Sequence, residues 1–396
     1  MTELWALAAL WVGLALVATL ISIQLRIATA LSEIVVGTVA QLLIGAALGM
    51  QLLQGDASWI KFLAGAGAIV LTFLAGAELD PDAFRRNWKE ASAVGVAGFL
   101  SPFIGCAAAA YYLLDWSVEA SWLAGIALST TSVAVVYAVM LEFGLNATDY
   151  GKTVLAACFI TDLLTVLALG LMFSPFTFKT LIFFAGALLA FVLLPWATRR
   201  LFHRYGGRPS ELETKFLLAV LFGLGALASW ADSEPVLPAY VVGMVLAGTV
   251  GRDHQLIRRL RTLTFGLLTP FYFIRAGSLV SLPALAAAPP AFLILLAAKM
   301  VTKFVGVYPI TQLHKSPKRE AMYTTLLMST GLTFGTISSL FGLSHDIIDQ
   351  AQYSYLVAAV IASAVVPTLI ANAFFLPRHL LPGASTPVQR GNDKSS

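Results

Sequence analysis

Asp162 stands in an otherwise apolar stretch, Val154 to Gly170, broken by little more than threonines. A carboxylate at such a place is costly to hold in a membrane and marks a functional site by default. Its oxygens can hold either a proton or a hard alkali cation, and burial and neighbouring charge decide which. Competition for one such site exchanges the two species without a second pathway. Lys299 and Lys303 lie in another apolar run, four residues apart and so on one helical face. Lys303 is too central to reach water easily and is the expected cationic companion of Asp162. Lys299, one turn earlier, is expected to cap a broken helix end or to pair with a carboxylate.

Two hydroxyl clusters complete the set: Ser129-Thr130-Thr131-Ser132, and Ser329-Thr330-Gly331-Leu332-Thr333. Ser and Thr commonly bond between membrane helices. Their matching placement at the midpoints of two apolar runs favours two interrupted helices crossing at the centre. The half-helix ends would then offer partial charges and free carbonyls to an ion. Thr130, Thr131, Ser132 and Thr161 are candidate ion ligands with Asp162, which would hold the alkali metal ion. Ser329, Thr330, Gly331 and Thr333 would form the second break.

The elements that position these residues follow from composition. Hydrophobic residues make up 58% of the 396-residue chain and charged residues 12%, against about 25% charged for a soluble domain. Continuous apolar runs of membrane length predict helices rather than barrel strands. Thirteen spans are expected, roughly 3–24, 30–53, 58–79, 91–114, 119–142, 152–174, 179–198, 214–231, 236–250, 263–281, 289–312, 320–343 and 352–377. The first reads as a membrane helix and not a leader peptide, because the basic n-region is missing. With the N-terminus outside, twenty of the 25 basic residues fall in cytoplasmic connections and the tail, and Lys61 and Lys179 alone in outer ones. That asymmetry is the positive-inside rule, so the net charge of +4 is a topology signal and no nucleic-acid partner is expected. At 1.5 Å per residue, Asp162 lies about 15 Å into the sixth span.

The two halves echo each other about 200 residues apart. Leu31-Ser32-Glu33-Ile34-Val35-Val36-Gly37 is matched by Leu237-Pro238-Ala239-Tyr240-Val241-Val242-Gly243, Ala75-Gly76 by Ala276-Gly277, and Phe143-Gly144-Leu145 by Phe341-Gly342-Leu343. An offset of seven spans is odd, so the second copy is inverted, as in many secondary transporters. Glu78 and Arg275 end the third and tenth spans at related positions. Both are secondary site candidates, Glu78 as an interfacial acid and Arg275 as a cation that needs a partner. Glu33 and Glu142 are expected at the interface. Cys106 and Cys158 lie in apolar runs and imply no disulfide or metal framework. No second aspartate at bilayer depth is available for an intramembrane protease, so the chain is not expected to be an enzyme.

These residues resemble the second cation/proton antiporter family, which includes Kef-type potassium systems and NapA-type sodium/proton antiporters. The resemblance rests on Phe73-Leu-Ala-Gly-Ala-Glu-Leu-Asp80, Thr131-Ser-Val-Ala-Val-Val136, Thr161-Asp162, Lys303 with Gly306, and Ser329-Thr-Gly-Leu-Thr-Phe-Gly335. It implies an all-α integral membrane protein of NhaA-type antiporter fold, with thirteen transmembrane helices, two inverted six-helix repeats and crossed broken helices. Residues 1–378 would form the antiporter domain, with spans 1–3 and 8–10 a dimerisation part, 4–6 and 11–13 the ion-transporting core and 7 a linker; 379–396 would be a short cytoplasmic tail. It further implies a multi-pass homodimer in the bacterial inner membrane, needing no cofactor beyond the transported Na⁺ or K⁺ and H⁺, that moves its core like an elevator. Where sodium/proton relatives carry Asp-Asp or Asn-Asp, this chain has Thr161-Asp162. Thr161 carries neither proton nor charge, which favours electroneutral exchange, whereas Lys303 resembles the lysine of electrogenic members. The nucleotide-binding domain of Kef systems is not expected after Arg378, and a separate regulatory subunit is conceivable. A Kef-like potassium channel, or a sodium-coupled organic-anion symporter of related fold, is the alternative.

Overall fold

The computed structural model describes residues 2–25, 28–48, 53–77, 87–173, 177–207, 210–231, 233 and 235–381. Among them every regular element is helical. Ten helical segments are long and apolar enough to cross a membrane, and three shorter apolar helices, Thr29–Leu43, Val118–Ser129 and Val236–Leu246, accompany them. Helices suit this chain because each satisfies its own backbone where no water is at hand.

The N-terminal elements are α1 (Thr2–Leu25), α2 (Thr29–Leu48), α3 (Ser58–Ala77), α4 (Trp88–Leu114), α5 (Val118–Ser129), α6 (Val133–Glu142) and α7 (Asp149–Phe173). Then come α8 (Phe178–Tyr205), α9 (Leu212–Trp230), α10 (Val236–Leu246), α11 (His254–Leu263) and α12 (Thr269–Ser278). The last are α13 (Leu282–Ala287), α14 (Pro289–Leu313), α15 (Lys318–Met328), α16 (Thr333–Ser344) and α17 (Gln350–Ile370). Starts are fixed by side chains that accept orphan backbone N–H groups. Ser117 caps α5, Thr148 caps α7, and Asp349 with Gln352 forms a capping box on α17.

Two packed groups result. In one, α2 lies on α12 and α3 on α10 and α12; in the other, α4 lies against α5, α7 and α14, and α16 against α5 and α17. The first group closes at two glycine crossings. A Cβ on Gly37 would overlap the Ile274 carbonyl and one on Gly277 the Ile34 carbonyl. Likewise Gly76 faces the Tyr240 carbonyl and Gly243 the Phe73 carbonyl. Small residues let membrane helices approach this closely and gain van der Waals contact. The groups meet where the Tyr240 hydroxyl donates to the Phe159 carbonyl at 2.9 Å, and where the Tyr353 hydroxyl donates to the Ala276 carbonyl at 2.7 Å.

Several expected boundaries move. Helix α8 runs on to Tyr205, about two turns past the expected end, so Arg199, Arg200 and Arg204 are helical rather than loop residues. The tenth span is extended backwards by the amphipathic α11, joined to α12 through a π turn at Thr264–Leu268. Glu33, expected at an interface, is buried with 2% exposure. Glu78 lies outside the described residues, as does the side chain of Glu142.

Candidate functional site

The fifth expected span is two helices, α5 and α6, separated by Thr130–Ser132, and the twelfth is α15 and α16, separated at Ser329–Leu332. Thr130 is extended (φ −60°, ψ 153°), as a residue leaving a helix must be. The two breaks touch: the Ser132 amide donates to the Thr330 carbonyl at 3.1 Å. The Thr131 hydroxyl crosses the same gap and donates to the Met328 carbonyl at 2.9 Å. Each half-helix C-terminus therefore points its free carbonyls at the crossing, and each N-terminus its free amides.

Asp162 is the fourteenth residue of the 25-residue α7, half-way along it. It is 2% exposed, and its Oδ1 has no hydrogen-bond partner among the described residues. Lys303, midway along α14, is wholly buried and donates to the Thr131 hydroxyl at 2.9 Å. Thr131 thus links the ammonium to the carbonyl end of α15. Lys299 is equally buried, and its Nζ has no hydrogen-bond partner among the described residues.

The remaining hydroxyls are less alike than their spelling. Thr161 donates to the carbonyls of Gly95 and Ala157 at 3.2 and 3.1 Å, which directs it towards α4. Thr130, Ser329 and Thr330 each bond a carbonyl of their own half-helix. The Ser132 oxygen accepts from the Val135 amide at the start of α6, and Thr333 opens α16. Cys158, one turn before Asp162 on the same face, packs its sulfur 3.6 Å from that of Met328, and both cysteines are free and buried.

Sequence reasoning missed a cavity of about 280 Å³ at the start of α4, α7 and α15. Glu90, Asp149, Thr153, His314 and Glu320 line it, with Val94 and Ala157, the latter one turn short of Thr161. Its acids sit in the first turns of their helices, where a carboxylate is unremarkable because it suits the helix dipole. Nothing in the spacing shows that three such turns meet.

Arg275 finds its partners in a loop rather than a helix. Its Nε donates to the Gly55 carbonyl at 2.8 Å, and a terminal nitrogen lies 3.5 Å from Asp56. Lys61 is 3.0 Å from the same carboxylate. The Lys61 hydrogen bond, with help from Arg275, holds the Asp56 carboxyl below the usual range. Asp56 is largely exposed, so Asp56→Asn should lower stability by less than about 1 kcal/mol. Arg275→Met removes a sheltered charge-assisted bond and should cost about 1.5–3 kcal/mol. Thermal unfolding in detergent separates the two; equal losses would mean that the ion pair, not the Gly55 carbonyl, holds Arg275.

Comparison with known proteins gives a consistent outcome. The family model described as "Sodium/hydrogen exchanger, transmembrane" matches residues 12–376. The chain is 25% identical over 343 residues to Cation/H(+) antiporter 18 of Arabidopsis thaliana, covering 80% of this chain and 42% of that one. It is 25% identical over 360 residues to a Na(+)/H(+) antiporter of Enterococcus hirae, covering 85% and 91%. It thus spans about two-fifths of the length of the plant relatives it matches and nearly all of some shorter ones. In structure it is similar to the sodium proton antiporter MjNhaP1 from Methanocaldococcus jannaschii at pH 8, with a TM-score of 0.71 over 94% of this chain at 16% identity. That likeness speaks for the fold.

Proposed function

This chain belongs to the sodium/hydrogen exchanger family, and from that premise we propose that it exchanges a monovalent cation, Na⁺ or K⁺, for protons across a membrane. The observation that carries the reading is the unmet Asp162 oxygen, buried mid-helix against the place where two interrupted helices cross. A buried acceptor left open is what a proton or a dehydrated cation would complete. Carbonyls and hydroxyls of the breaks, Thr131 foremost, supply the further oxygens. Lys303 bonds Thr131 instead of Asp162, which supports a single titrating carboxylate and electroneutral, one-for-one exchange.

In this reading the ten long and three short apolar segments are thirteen spans in two inverted sets of six around α8. The glycine crossings support that arrangement: the helix of Gly37 meets that of Gly277, and Gly76 meets Gly243, so each crossing joins a helix of the first set to one of the second. The two packed groups are then a dimerisation part and a core, and the core moves as an elevator past α10 and α12, breaking the Tyr240 and Tyr353 bonds in turn. The acid-lined cavity supports a cytoplasmic approach for cations, since like charges in a cleft concentrate counter-ions. The N-terminus is outside, the tail cytoplasmic and the functional unit a homodimer in a bacterial inner membrane; Arg275 acts outside the ion site.

Purified protein in liposomes loaded with a pH-sensitive dye tests this. Adding Na⁺ or K⁺ should drive proton movement that an imposed membrane potential does not alter. A voltage response would overturn electroneutrality, and single-channel current without proton coupling would replace the exchanger by a channel.

A further inference from the structure

We propose that the two buried lysines divide the work, with Lys299 the fixed counter-charge of the half-helix carbonyl ends and Lys303 left to the ion site. The idea rests on the exchange reading and assigns separate roles to two side chains that look equivalent in sequence. Both have 0% exposure, and both sit mid-way along α14 one turn apart. Their surroundings differ. Lys303 has a hydroxyl partner in Thr131. Lys299 has no hydrogen-bonding side chain among the described residues, and an ammonium cannot be left in a dry interior without compensation.

Gly331 shows where that compensation lies. A Cβ built on it would overlap Lys299 Nζ, and would stand 2.9 Å from the Thr130 hydroxyl and 3.3 Å from the Thr130 carbonyl. The ammonium therefore occupies the room that a side chain at 331 would take, beside the C-terminal end of α5. A helix C-terminus carries about half a negative charge, and α5 and α15 both end here. Lys299 neutralises that charge at its source. Lys303 reaches only the α15 end, through Thr131, and is left to the ion site. Lys299 is a positioning residue: it holds the break in shape and exchanges no partner.

The test is a double-mutant cycle on the full-length protein, read as melting temperature and as apparent KM for Na⁺ or K⁺ in liposomes. Gly331→Ala should lower the melting temperature and raise KM by at least about tenfold, because the methyl expels the ammonium. Lys299→Met vacates that space, so the double variant should stay within about threefold of Lys299→Met alone. Multiplying effects, or a silent Gly331→Ala, would overturn the seat. Lys303→Gln should move the pH of half-maximal rate and Lys299→Met should not; equal movement would overturn the division. If Gly331→Ala alone fails to fold while the double variant folds, the seat is supported; if neither folds, the pH profiles decide. Should wild type exchange nothing, the transport reading fails, while the melting temperatures still judge the contact between Lys299 and Gly331.

Discussion

Asp162→Asn reduces cation-driven proton movement in liposomes to the level of empty vesicles. The amide keeps the shape of the carboxylate, so α7 packs as before and the protein elutes and melts like wild type. What is lost is the site's ability to take a proton and its charge for the cation. Removing one charged ligand costs about 3 kcal/mol, which is about a hundredfold in affinity, and loss of the proton site uncouples whatever binding remains. Asp162→Glu, which restores the carboxylate one methylene out of place, should recover part of the rate. Retention of more than about a tenth of the wild-type rate by the asparagine variant would remove Asp162 from the centre of the mechanism.

Gly243→Leu should abolish folding rather than slow transport. At the crossing of α3 and α10, the first carbon of any side chain would already overlap the Phe73 carbonyl and stand 2.8 Å from the Ala77 amide. Overpacking a closed interior typically costs about 1–3 kcal/mol even where the surroundings can shift, and leucine adds four carbons where none fits. The helices would have to separate along the contact that holds the first packed group together. Fluorescence-detected size exclusion should show aggregate in place of the wild-type peak. Gly223→Leu is the control, because a Cβ there meets nothing within 4 Å. A monodisperse Gly243→Leu would mean that the crossing contributes little.

The membrane class and the crossed breaks were legible in the sequence because both are local signals. Apolar run length reports the span, and a hydroxyl cluster at mid-run reports an interruption. Asp162 was legible for the same reason, as a charge where none should be. Distances between helices leave no such trace. Lys299 and Lys303 share a face, so periodicity alone cannot say that one faces Thr131 and the other Gly331. Arg275 could not be matched to Gly55, since a backbone carbonyl in a turn has no sequence signature. Glu33 read as interfacial from its place near a helix start, yet tertiary packing covers it. The cavity acids were hidden by their own plausibility as helix-start residues.

The two cysteines acquire a use from where they lie. Both thiols are buried, so the surface offers maleimides nothing to modify, and Cys158 shares its face with Asp162. Any conformer that bares the Asp162 face also bares this sulfur to small alkylating reagents. The polypeptide thus carries its own accessibility reporter: the rate of mass gain at Cys158, with and without cation, follows the openings of the pathway in unmodified protein.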